Sequence, residues 1–89
     1  MEIARVRATA TLEGGLSYPQ VFVLERSEAS TYGNRTSVRR LYPDGSEELY
    51  DTRYDLTLSR DGSDFADWVE RFLWSRPWMR PLAGVSVSR

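Results

Sequence analysis

The chain has 89 residues, 40% of them hydrophobic, and a net charge of −1. That length makes one domain with one modest core, and a pI of about 5.4 argues against nonspecific duplex binding, which needs a basic surface. Cysteine, histidine and lysine are all absent, which removes disulfides, thiolate metal sites and His- or Lys-based acid–base chemistry. All twelve basic residues are arginine, which reads as the coding bias of a GC-rich genome. No run approaches membrane-spanning length, and MEIARVRATA at the N-terminus lacks the apolar core of a signal peptide. The expectation is a soluble, cytoplasmic protein with no membrane partner.

Glu2 to Leu12 alternates. Ala4, Val6, Ala8, Ala10 and Leu12 point one way, and Ile3, Arg5, Arg7, Thr9 and Thr11 the other, as in a half-buried strand. Its small residues leave room for bulky aromatics of a covering element. Gly14-Gly15 is a turn signal. Tyr18 to Arg26 reads as a second strand, with Pro19 at its start. Its centre, Val21-Phe22-Val23-Leu24, is apolar on both faces, the pattern of an interior strand. Ser27 to Asn34 reads as an exposed loop anchored by Tyr32.

Arg35 to Tyr42 is a third strand. Pro43-Asp44-Gly45 makes a tight turn, with proline setting the first central angle and glycine taking the positive one. Ser46 to Tyr50 returns antiparallel. Asp51 to Arg53 reads as a bulge or short turn, and Tyr54 to Leu58 as continued or fifth strand. Ser63 to Ser75 is the one long segment of helical period: Phe65, Trp68, Val69 and Phe72 recur at i, i+3, i+4 and i+7. Ser63 stands where an N-cap belongs, Asp64 and Asp67 complement the helix dipole, and Pro77 stops continuation. In the tail, Val85 and Val87 alternate with Ser86 and Ser88, so a short last strand is expected. The fold class is α+β: an antiparallel meander of four to five strands, packed against one C-terminal helix in a two-layer sandwich. Residues 1–89 form a single domain.

No catalytic, cofactor-binding or metal-binding residue is expected. Asp44, Glu47, Glu48, Asp51 and Asp55 crowd the hairpin, but no pocket-forming segment accompanies them, so they read as a solvated acidic edge. Asp61, Asp64 and Asp67 recur every third residue without the glycine and terminal glutamate of a calcium loop. Gly14-Gly15 leads to a strand and not to a helix N-terminus, so it cannot cradle phosphate. The protein reads as a non-enzyme.

Two clusters point to binding. The tail carries Trp74, Arg76, Trp78, Met79 and Arg80, and tryptophan and arginine are enriched at interface hot spots. These residues suit either a docking or homodimer surface, or a tail that wraps back with Trp78 as a plug. The second cluster mixes arginine with tyrosine: Arg5, Arg7, Arg39, Arg40, Tyr42, Tyr50 and Tyr54, with Arg53 beside the last. On one open sheet face such a set stacks bases and holds phosphates. The competing reading pairs these arginines with Asp and Glu across strands.

Four strands followed by a helix resembles, in topology alone, the PUR-like modules that bind single-stranded nucleic acid. Asp67-Trp68-Val69-Glu70, followed by Trp74 and Met79-Arg80-Pro81, resembles the helix and tail of MbtH-like proteins, small accessory subunits of adenylation enzymes. The central Ser-Leu-Trp-Pro of that family stands here as Arg40-Leu41-Tyr42-Pro43, and its Pro-x-Gly-Trp segment is absent. No functional residue is carried over from it. The leading expectation is a non-catalytic interaction protein that binds and modulates a larger protein or complex. Inhibitors, accessory subunits and phage or mobile-element antagonists of the anti-CRISPR kind share this size and class. The alternative is a single-stranded nucleic-acid binder using the Arg/Tyr set.

Overall fold

The structure, a computed structural model, describes residues 1–28, 34–52, 57–75 and 82–89, with the side chains of Glu28, Asn34 and Leu82 left aside. Its elements in chain order are β1 (Glu2–Leu12), β2 (Ser17–Glu28), β3 (Asn34–Leu41), β4 (Glu47–Asp51), α1 (Phe65–Trp74) and β5 (Leu82–Ser88). The strands form one five-stranded sheet in the order β4-β3-β2-β1-β5, every described pair antiparallel. The meander and its single helix are therefore as the sequence predicts. The short tail strand returns to the far side of β1, which places β1 and β2 in the interior.

Alternation decides the faces. On β1, Val6, Ala8, Ala10 and Leu12 are buried while Arg5 and Arg7 are exposed. Helix α1 packs over β1 and β5, where Ala8 and Ala10 leave space for its aromatics. Phe22, Leu24 and Val38 complete the inner face beneath Phe65, Trp68, Val69 and Leu73. Near the start of β1 the register shifts between Glu2 and Ala4. One extra residue there lets both Ile3 and Ala4 pack against the core.

Several boundaries differ from expectation. Strand β2 continues through Ser27 and Glu28, which pair with Arg35 and Asn34, so the connection is shorter than the polar composition suggests. Tyr32, within that connection, lies outside the described residues. The β3–β4 turn closes as expected, with Gly45 at φ 89°. Asp44 holds it by accepting from the Ser46 backbone N–H at 2.9 Å and its hydroxyl at 2.6 Å. Asp51 belongs to β4, opposite Ser37, and is neither bulge nor turn. The segment expected as a strand after it falls largely on residues 53–56, outside the described set; Thr57 and Leu58 form a turn.

The helix begins at Phe65, with Asp64 and not Ser63 at the N-cap. Asp64 makes no side-chain cap bond. Its carboxylate reaches back instead and accepts from the backbone N–H of Ser59 at 3.0 Å and the Ser59 hydroxyl at 2.6 Å. Asp61 accepts from the Ser63 N–H at 2.9 Å. These bonds pull both carboxylates below the ordinary aspartate range. The buried stripe is Phe65, Trp68, Val69 and Leu73. Phe72, expected in the stripe, is half-buried and turns sideways, meeting Phe22 edge-on at 5.8 Å and Tyr50 at 5.0 Å.

Candidate interaction surface

Three surfaces receive the residues singled out from the sequence. The first is the C-terminal end of α1. Trp68 is 7% exposed and belongs to the core, whereas Trp74, six residues later, is 50% exposed. The rotation of the helix explains this difference: residues six apart lie about 120° apart around a 3.6-residue spiral, which carries Trp74 off the buried stripe. Around Trp74 lies an open depression lined by Asp67, Glu70, Arg71 and Ser75. Its lining follows from spacing, since Asp67, Glu70 and Arg71 stand seven, four and three positions before Trp74 and share its side of the helix. That spacing is present in the sequence, where Asp67, Glu70 and Arg71 fall on the polar face of the helical period. Ser75 closes the helix, its N–H donating to the Arg71 carbonyl at 3.0 Å and its hydroxyl to the Phe72 carbonyl at 2.9 Å. The expected companions Arg76, Trp78, Met79 and Arg80 lie outside the described residues.

The second surface is the sheet face away from the helix. Cross-strand register aligns Leu49, Arg39, Val23 and Arg5 in one row, and Glu47, Leu41, Val21, Arg7 and Ser88 in the next. Val23 is only 2% exposed, although among the described residues no helix or strand covers this face. Its direct neighbours are Arg5 and Arg39, whose long aliphatic stems are suited to shielding it. Ion pairs cross the face. Arg39 donates to Glu25 at 2.9 Å and Glu47 at 2.6 Å, and Arg5 donates to Glu2 at 2.8 Å. Hydrogen bonding to these carboxylates raises both guanidinium pKa values further. Exposed pairs of this kind add little stability individually, but they engage donors of Arg5 and Arg39 that a phosphate would otherwise use. Leu49 stands among them 65% exposed.

The third is on the inner face, and it separates Arg40 from Arg39. Adjacent strand residues point to opposite sides. Arg40 is therefore buried, at 6% exposure, opposite Phe22 on β2 and Glu48 on β4. Its guanidinium lies 5.0 Å from the Tyr42 ring, 5.4 Å from Phe22 and 5.7 Å from Phe72. Its Nε donates to the Gln20 amide oxygen and its Nη1 to the Tyr50 hydroxyl at 3.3 Å. Both tyrosine hydroxyls donate to Glu48, that of Tyr42 at 2.8 Å. Burial, reinforced by the Glu48 bond, pushes the Tyr42 phenol up to about 12 and raises that of Tyr50. A desolvated cation walled by aromatic faces and neutral acceptors is a stable arrangement.

The Arg/Tyr set does not form one face. Arg5, Arg7 and Arg39 lie on the open side of the sheet, while Arg40, Tyr42 and Tyr50 lie on the helix side. Tyr54 lies outside the described residues. No described tyrosine stands beside the outward arginines to stack a base.

Compared with models of known families, with curated proteins and with solved structures, the chain matches none. Function is therefore argued from the surfaces alone. Among the described residues no group of His, Cys, Asp or Glu is arranged to hold a metal ion. No helix among them is long and apolar enough to cross a membrane.

Proposed function

We propose that the chain is a non-catalytic interaction protein that binds a larger protein through the C-terminal end of α1, with Trp74 as the anchor. The half-exposed Trp74 carries this reading. The fold buries Trp68 beside Phe72, with the two rings stacked at 5.1 Å, yet leaves Trp74 outside the core within a ring of charged and polar side chains. A large aromatic with a polar rim is the composition of a binding hot spot. Asp67, Glu70 and Arg71 would orient a partner whose apolar group covers the indole. An inhibitor or accessory subunit, including a phage or mobile-element antagonist, has this size and needs no catalytic group.

The test compares wild-type and Trp74→Ala chains as tagged baits in lysate of the source cell, with and without nuclease. The expected result is one complex enriched by the wild type in both arms and reduced at least tenfold by Trp74→Ala, a loss of about 1.4 kcal/mol or more. The variant should keep the wild-type circular dichroism and melting temperature, since Trp74 is outside the core. Enrichment that collapses with nuclease would replace this reading with the single-stranded nucleic-acid one. Capture unaffected by Trp74→Ala would remove α1 as the contact.

A further inference from the structure

The two edges of the sheet are built differently. Strand β4 is five residues long and carries Glu47, Glu48 and Asp51. A second β4 laid against it would bring carboxylate to carboxylate, so its own charges guard that edge. Strand β5 carries no charged residue and no proline from Leu82 to Ser88. Its one irregularity is a register shift against β1 between Leu82 and Gly84, after which Gly84 to Ser88 pair regularly with Thr11 to Arg7. Among the described residues no strand lies beyond β5. Val85 and Val87 touch the core yet remain half-buried.

We propose that β5 pairs antiparallel with β5 of a second copy of this chain, doubling the five-stranded sheet across a two-fold axis near Ser86. That register is self-complementary. Ser86 faces its own copy, Gly84 faces Ser88, and Val85 faces Val87, so the strand pairing itself brings no like charges together. It also supplies partners for the edge amides and carbonyls, which is the general demand of an open strand.

The helix layer fits the same operation. Antiparallel pairing in one sheet places the two-fold axis perpendicular to it, so both α1 helices lie on the same face. Each covers β1 and β5 of its own chain. With strands about 4.8 Å apart, the two helix axes come to lie about two strand spacings apart, roughly 10 Å. Packed helices lie about 8–10 Å apart. The second layer therefore continues across the axis without a gap or a clash between axes.

Sedimentation velocity over a concentration series tests this, on wild type, Ser86→Lys and Ser86→Glu. Ser86 is exposed and outward on the sheet, so both variants should fold normally. Directly opposed residues in an antiparallel pair approach to about 5 Å, so a like pair at this position should raise the dimer dissociation constant by up to about fivefold, the reach of a ~1 kcal/mol cross-strand term. An equimolar mixture of the two variants places Lys opposite Glu and should recover the wild-type dimer. Backbone amides of Val85 to Val87 should exchange more slowly as the wild-type concentration rises. A wild type that stays monomeric throughout overturns the proposal. So does a dimer whose dissociation constant neither charge variant raises. Trp74→Ala should leave self-association intact; if it abolishes the dimer, the contact between copies is the end of α1 and not β5.

Discussion

At the scale of single residues, Arg40 is the informative case. A buried arginine is destabilising unless its donors are met and its charge is stabilised. Here Gln20, 4% exposed, and Tyr50 accept from it, and three aromatic rings surround it. Arg40→Ala removes the packing and strands the Gln20 amide, and should cost about 2–4 kcal/mol in urea denaturation. Arg40→Met with Gln20→Leu fills the same space with apolar groups and should lie within about 1 kcal/mol of wild type. A double variant as unstable as Arg40→Ala would show that the charge itself is required. The same cluster sets the alkaline limit. Tyr42 ionises near 10 in the unfolded chain and at about 12 in the folded one. Below pH 10 both states keep the proton and the contribution of Tyr42 is fully present. From pH 10 to about 12 the unfolded chain ionises first, so stability falls as pH rises through that window. Tyr42→Phe should flatten part of the decline, leaving the share of Tyr50. A wild-type stability that stays level through this range would contradict the shift.

At the scale of elements, the close fit of α1 to β1 depends on Gly62. It sits at φ +73°, and an added Cβ would meet Ala4 Cβ at 3.1 Å and Ile3 Cγ2 and Leu24 Cδ2 at 3.2 Å. Gly62→Ala therefore combines backbone strain with overpacking and should lower stability by about 1–3 kcal/mol. Gly45→Ala, where the added methyl meets nothing within 4 Å, bears only the strain and should be milder. Equal losses at the two sites would show that packing at Gly62 is irrelevant. How much could be read from the sequence follows the same lines. The period-two pattern of β1 named its buried face correctly because only one face is apolar. Strand β3, with Arg39 beside Arg40, offers no such contrast, and only its register against β2 shows that one arginine is buried and the other exposed. The helix and its stripe were legible, Phe72 included, which is half-buried but packs against the core; Leu73, buried beside the stripe, was not, because an i+8 position falls at the stripe's edge. The helix start was not legible. Asp61, Ser63 and Asp64 are all competent caps, and the choice depends on how near Ser59 comes in space. Of the tail cluster only Trp74 lies within the described residues, half-exposed; composition alone does not separate an exposed tryptophan from a core one.

At the scale of the whole molecule, the sheet is stabilised unevenly across its width. Strands β1 and β2 share the longest ladder, and Phe22, Val23 and Leu24 are buried at its centre. Strand β4 is short and bonded among the described residues only to β3, and Tyr50 is its residue packed against the core there. Its other side chains, Glu47, Glu48, Leu49 and Asp51, are exposed. Opening β4 would expose little apolar surface, so it should need less free energy than global unfolding. Native-state hydrogen exchange should place the amides of Phe22 to Leu24 at the global unfolding free energy, and those bonded between β3 and β4 below it by several-fold in protection or more. Addition of dilute urea should leave the exchange of the β4 amides almost unchanged while accelerating that of β2, because only the second process exposes large surface. If both sets responded equally, the sheet would open as one unit and β4 would be held as strongly as the centre of the sheet. The acidic edge would then be part of the rigid frame, as firmly fixed as the strand at the opposite side.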